Sequence, residues 1–138
     1  MLISASILNT GEQNNVKLIT NSTSKQLIIP PKSEGKGSSV NGGELLFLAL
    51  ATCFCNDIYR EAAKRQMEIT SVEVVVTGEF GGEGEAGFNI QYEAKVDSSA
   101  TEEEITDLIT HVDKVAEVHN TLRVGTPVTL KDINKSNR

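Results

Sequence analysis

Both cysteines of this chain, Cys53 and Cys55, fall in one stretch, LLFLALATCFCNDIYR at residues 45–60, which is apolar through its first half and polar from Asn56 onward. A thiol can serve as a nucleophile, a metal ligand or a disulfide partner, and each use demands different neighbours. The nucleophile is the thiolate, which must be favoured by nearby positive charge, a helix N-terminus or a hydrogen-bonding network. On a helix turning about 100° per residue, Cys53 and Cys55 point about 200° apart, so only one can face a given pocket. A bond between them is strained for the same reason. Free cysteine is also a small hydrophobe common in cores, and burial without chemistry is the plainer reading of the spacing taken alone.

The cations available to a thiolate at Cys53 are Lys17, Arg60, Arg65 and Arg123. A zinc set would have to join Cys53 and Cys55 to His111 and His119, but one intervening residue is fewer than the roughly two to four usual between paired thiolate ligands. No metal and no cofactor is therefore expected, and the two histidines read as hydrogen-bonded structural residues. The Gly35-Lys36-Gly37 and Gly82-Glu83-Gly84 segments lack the strand-to-helix context of a phosphate loop and read as turns.

Positioning these thiols requires a helix over residues 44–66, free of Gly and Pro and apolar nearly all round in its first half, as in a helix buried at a domain centre. Before it, residues 16–20 and 26–29 read as two short strands around a polar turn. Pro30-Pro31 and the Gly/Ser-rich loop KSEGKGSSVNGG follow. After it, Val72, Val74 and Val76 alternate with Glu73, Val75 and Thr77 in a half-buried strand over 69–79, and residues 88–96 return beside it. Thr101 and Glu104 form a capping box, and Ile105, Leu108, Ile109, Val112, Val115 and Ala116 recur at helical spacing, giving a second, amphipathic helix over 102–117. A last strand is expected at 127–130. The order is that of an α+β fold, an antiparallel sheet packed on a long central buried helix plus the amphipathic one.

At 138 residues the chain fits a single domain spanning 1–138. Its net charge of -6 opposes phosphate backbones, so nucleic acid is not an expected partner. The longest apolar run, residues 45–55, is shorter than the ~20 residues of a membrane span, and the opening residues lack the charged start and cleavage site of a secretory signal. A cytoplasmic location with reduced thiols is the expectation.

The segment NGGELLFLALATCFCNDIY, at residues 41–59, resembles the central helix of the OsmC/Ohr superfamily, bacterial thiol-dependent peroxidases whose reactive cysteine lies in a motif like N-P-x-x-L-x-x-A-x-A-x-C-F. Cys53 takes the place of the peroxide-attacking cysteine, with Phe54 after it. Residues 72–77 resemble the strand that follows, and Val118-His119-Asn120-Thr121-Leu122 resembles the family's C-P-V-H-x-T-L segment. The resemblance covers most of the chain and implies an intertwined homodimer with the site at its interface.

Three departures bear on the implied mechanism. Ala116 stands where the resolving cysteine belongs, with Glu117 in place of the following Pro. Gly42-Gly43 replaces the usual Pro-Glu, leaving Glu44 one residue later than the acid that supports the activating Arg. No arginine precedes Arg60, and Lys17 is a weak substitute for the N-terminal one. The resemblance thus implies reduction of organic or hydrogen peroxides in oxidative stress defence, with Cys53, Glu44 and Cys55 as candidate catalytic residues. Cys55 would be a replacement resolving thiol, and a thiol reductant would complete the cycle. The alternative is a non-catalytic dimer of the same fold that binds a small apolar ligand or a partner.

Overall fold

The computed structural model describes residues 1–135. The chain divides into two compact units, Met1–Leu46 and Phe47–Arg138, and its last three residues lie outside the described ones.

In the first unit, β1 (Ile3–Asn9), β2 (Asn14–Thr20) and β3 (Thr23–Gln26) form an antiparallel sheet in that order. The first turn closes on Gly11 at φ +92°, whose N–H donates to Asn9 Oδ1. The second is a two-residue turn, Asn21-Ser22, with Asn21 at φ +55°, a left-handed position that Asn tolerates and that matches strand twist. This tight turn pairs Thr20 with Thr23, so the third strand runs over Thr23–Gln26 rather than the expected 26–29. β1 was not anticipated. Its pairing with β2 is nonlocal information that seven residues of mixed Ser, Ala and Ile do not carry.

The long helix α1 (Gly42–Lys64) starts two residues earlier than expected because Asn41 caps it. Asn41 Oδ1 accepts from the Glu44 N–H at 2.8 Å, and Glu44 Oε1 accepts from the Asn41 N–H at 2.9 Å, a reciprocal box in which an Asn takes the role more often filled by Ser or Thr.

In the second unit, β4 (Ile69–Glu79) and β5 (Phe88–Ser98) form an antiparallel hairpin, followed by α2 (Glu102–Val115) and the short α3 (Glu117–Arg123). The period of two holds as read: Val72, Val74 and Val76 face inward, paired across the ladder with Val96, Ala94 and Tyr92. The capping box at Thr101 and Glu104 is present, and α2 presents Leu108 and Val112 to the core. Phe54, Ile58 and Ala62 of α1 close that core with Leu108, Val112 and Ala116, all within 1% of full burial, and Val72, Val74, Tyr92, Ala94 and Val96 pack against it. At Gly78 a Cβ would come within 2.5 Å of the Phe47 ring, so glycine there lets the ring lie against the strand.

Three expectations are corrected. The apolar first half of α1 is covered on one side only, with Leu48 58% exposed while Leu50 is buried. One hairpin and one helix cannot surround it. The second helix stops at Val115, since Ala116 is extended (φ -66°, ψ 110°) and starts the separate helix α3. No Gly or Pro marks that break in the sequence. The strand expected at 127–130 is absent; those residues join no sheet, and Val128 is wholly exposed. Just before this segment Gly125 at φ +63° and the Thr126 N–H, which donates to the Thr121 carbonyl, close the end of α3.

Candidate functional site

Cys53 and Asp57 stand one turn apart on α1 and therefore share a face. The Cys53 thiol donates to Asp57 Oδ2 at 3.8 Å. The extended backbone at Ala116 delivers α3 beside this turn, and its first residue, Glu117, places Oε2 3.9 Å from the same sulfur. Arg60, a further three residues along α1, ties the two acids together: its Nη1 lies 3.1 Å from Asp57 Oδ1 and 2.9 Å from Glu117 Oε1. The sulfur is thus half-buried between two carboxylates, with the guanidinium behind them.

The electrostatics follow from this geometry. Burial pushes the Cys53 thiol above its usual range, the negative charges of Asp57 and Glu117 push the same way, and hydrogen bonds from the backbone at Val118 and Glu117 oppose them. Asp57, with a side chain only 8% exposed, is pushed up to about 6 by burial and by the facing Glu117, against the pull of Arg60. Glu117 is 61% exposed and lies below the ordinary carboxylate range through its backbone, Asp57 and Arg60 contacts. The buried acid holds its proton longer than the exposed one.

Beside the pair, the buried Glu61 accepts from Lys64 Nζ at 2.8 Å and Arg60 Nε at 2.9 Å, and His111 Nε2 lies 2.9 Å from its other oxygen. These partners pull Glu61 down to about 2. A carboxylate whose folded pKa is depressed contributes stability above its unfolded value, and that contribution is lost as pH falls toward the folded one. The Glu61 contribution should therefore disappear between about pH 5 and pH 2. Urea unfolding at pH 7 and pH 3 should show a smaller acid-induced loss of stability in Glu61→Gln than in the wild type. Equal losses would show that Glu61 is not part of the acid response.

Farther along the core, the Tyr92 hydroxyl donates to Asp113 Oδ1, and Arg123 Nη2 reaches the same carboxylate at 2.7 Å. Burial and this carboxylate push Tyr92 up to about 12. His119 stacks edge-on with Tyr92 at 4.6 Å and lies 5.5 Å from Phe54, only 4% exposed. The reading of His119 as hydrogen-bonded is corrected: neither ring nitrogen has a partner among the described residues. Burial lowers its pKa, which keeps the ring neutral at physiological pH.

The structure separates the two thiols as helical spacing requires. Cys55 borders a shallow groove with Ala51, Thr52, Asn56 and Val74, away from the acids at Cys53. Glu44 belongs to the first unit, where Oε1 caps α1. Of the candidate cations, Arg60 joins the Cys53 cluster, and Arg123 is held by Asp113. The donor atoms of Cys53, Asp57 and Glu117 lie within 4.8 Å of one another, near enough to share a cation, but Arg60 already engages both carboxylates. Cys55, His111 and His119 do not join that group.

Sequence reasoning missed Asp57 and Glu117. The first carried a local signal, an acid one helical turn after a cysteine. The second stood only as a departure from the family's proline.

A model of OsmC-like proteins matches residues 35–131. The chain belongs to the OsmC-like family. This OsmC-like chain resembles, at 25% identity and a TM-score of 0.60, the OsmC-like protein of Mycoplasma pneumoniae, over 90% of this chain and 86% of that one. It shares its fold with two organic hydroperoxide resistance proteins. That of Elizabethkingia anophelis is 20% identical (TM-score 0.58), with 91% of each chain covered. That of Legionella pneumophila is 18% identical (TM-score 0.58), with 89% of this chain and 90% of that one covered. No curated protein matches the chain. The mixed α+β architecture, with antiparallel sheets and three helices, is the one the OsmC-like resemblance implied. Among the described residues no helix is long and apolar enough to cross a membrane.

Proposed function

We propose that this OsmC-like chain reduces organic or hydrogen peroxides in oxidative stress defence, with Cys53 as the attacking thiol and an external thiol as reductant. The observation that carries the proposal is the place of Cys53: the family's reactive position, half-buried where α1 meets α3, among groups that can exchange protons with it. Membership of the OsmC-like family and the shared fold with organic hydroperoxide resistance proteins support the same reaction class. In the reaction the thiolate takes the distal oxygen of the peroxide and becomes a sulfenic acid, while the alcohol or water leaves. Two equivalents of a small thiol then release water and restore Cys53 through a mixed disulfide.

A disulfide within this chain is not part of the proposed cycle. The resolving position is Ala116, which is fully buried in the core, and Cys55 faces a different groove. In this reading Cys55 packs, and Glu44 fixes the start of the helix on which Cys53 rides. The active form is a cytoplasmic homodimer, each chain forming one OsmC-like domain. The exposed side of the apolar helix supports that assembly: Leu48 stands out to solvent on a helix otherwise dressed for a core.

One observation favours a second reading, a non-catalytic dimer of this fold that holds a small apolar ligand or partner. Burial and two carboxylates disfavour the thiolate of Cys53. Purified protein supplied with tert-butyl hydroperoxide or hydrogen peroxide and a dithiol separates the two. Sustained peroxide consumption above the dithiol background is the expected result, and its absence would leave the binding reading standing.

A further inference from the structure

We propose that Asp57 is a catalytic proton-transfer residue of the Cys53 reaction, taking the thiol proton before the sulfur attacks and returning it to the departing oxygen. The proposal rests on the peroxide-reducing reading above and adds a residue to it. Its basis is contact with the reacting atom: the thiol donates to Asp57 Oδ2 across a single helical turn, with no intervening group.

The charged side chains around this contact are few and their directions are known. From α1, Asp57 faces the sulfur and Arg60 faces Asp57; from α3, Glu117 faces both. Among the described residues the cation of this cluster, Arg60, engages the carboxylates rather than the sulfur, so the proton lost on ionisation passes to a neighbouring base. Glu117 is the poorer choice. It is exposed and held by Arg60, and its lowered pKa makes it a weak base and a weak carrier of the returned proton. Asp57 is buried, keeps one oxygen on Arg60 and presents the other to sulfur, and its pKa near 6 lets it accept and release a proton close to neutral pH.

The step balances as follows. The S–H proton passes to Asp57 Oδ2, and the sulfur electron pair forms the S–O bond to the distal, hydroxyl-bearing oxygen of ROOH. The O–O bond breaks with its pair on the alkoxide, and Asp57 returns the proton to give ROH. Cys53 is left as S–OH, oxidised by two electrons, and the peroxide is reduced by two. Two equivalents of a small thiol regenerate S–H, the first releasing water to form a mixed disulfide and the second displacing Cys53 from it and leaving as the thiol's own disulfide.

The test compares two reactions at the same sulfur in the wild-type protein across pH, both followed by mass spectrometry of the Cys53 peptide. Iodoacetamide needs only the thiolate and no returned proton, so the fully deprotonated pair, which grows with pH, adds to its rate and makes it rise toward the thiol pKa. Oxidation by tert-butyl hydroperoxide should instead be level between about pH 6 and the thiol pKa, because the reacting state holds one proton shared by Cys53 and Asp57 throughout that window. In Asp57→Asn, loss of a negative charge beside the sulfur should speed alkylation at pH 7 while oxidation slows by about 10²-fold. Asp57→Glu, which keeps a carboxylate, should recover part of the oxidation rate. If the two wild-type profiles run parallel, or if Asp57→Asn speeds both reactions, Asp57 is only a brake on ionisation and the proposal fails while peroxide reduction stands. A wild-type Cys53 that alkylates but never oxidises would overturn both. The wild-type profiles decide the matter even if Asp57→Asn does not fold.

Discussion

Cys53→Ser is expected to reduce hydroperoxide consumption to the level of the dithiol alone. The reaction transfers an oxygen to a soft, easily ionised sulfur, and a serine hydroxyl at the same site is neither ionised near neutral pH nor able to be oxidised and then regenerated by thiols. The substitution is nearly isosteric at a half-buried position, and Asp57 and Glu117 keep their guanidinium partner. Folding should therefore survive, and circular dichroism and unfolding midpoints close to wild type would make the loss chemical rather than structural. Cys55→Ser, measured alongside, should retain most of the activity, since Cys55 faces its own groove. If Cys53→Ser kept turnover and Cys55→Ser lost it, the assignment of the two thiols would be reversed.

The second large effect is structural. Phe54 follows the reactive cysteine, is wholly buried, and meets the Tyr92 ring edge-on at 4.8 Å and His119 at 5.5 Å. Truncating a fully buried Phe to Ala costs about 3–5 kcal/mol, from lost transfer energy and the cavity left behind. Domains of this size are stable by only about 5–15 kcal/mol, so Phe54→Ala should lower the thermal midpoint steeply and leave the protein marginally folded. Phe54→Leu, which refills much of the space, should cost clearly less. A Phe54→Ala variant that unfolded at the wild-type midpoint would mean that the core of the second unit is not built around this ring.

How much of this was legible in the sequence depended on how local the cause was. The hairpin from β4 to β5 was readable because alternation of Val with Glu and Thr is decided within one strand. The start of α2 was readable because Thr101 and Glu104 satisfy each other three residues apart. The start of α1 was placed two residues late because an Asn served as the cap. The first strand, the shifted third strand and the missing last one all turn on pairing partners, which no single segment encodes. At the candidate site, the position of Cys53 came from the family motif and the divergence of the two thiols from helical geometry. The chemistry around the sulfur did not. Glu117 lies sixty-four residues from Cys53 and reaches it only because the backbone breaks at Ala116. In the sequence that region showed a lost cysteine and a lost proline; in the fold it supplies a carboxylate, and Arg60, seven residues past the cysteine, spans both acids. Of the candidate cations Lys17, Arg60, Arg65 and Arg123, it is Arg60, on the same helix as the thiol, that joins the two acids.

The most direct test of the central claim is the mass of the Cys53 peptide after the reduced protein meets a single equivalent of tert-butyl hydroperoxide in the presence of a sulfenic-acid trap. Peroxide reduction through Cys53 requires the trapped adduct at that residue, with Cys55 unmodified and one alcohol released per adduct. An unmodified Cys53 in protein that still folds, with the peroxide intact, would contradict it.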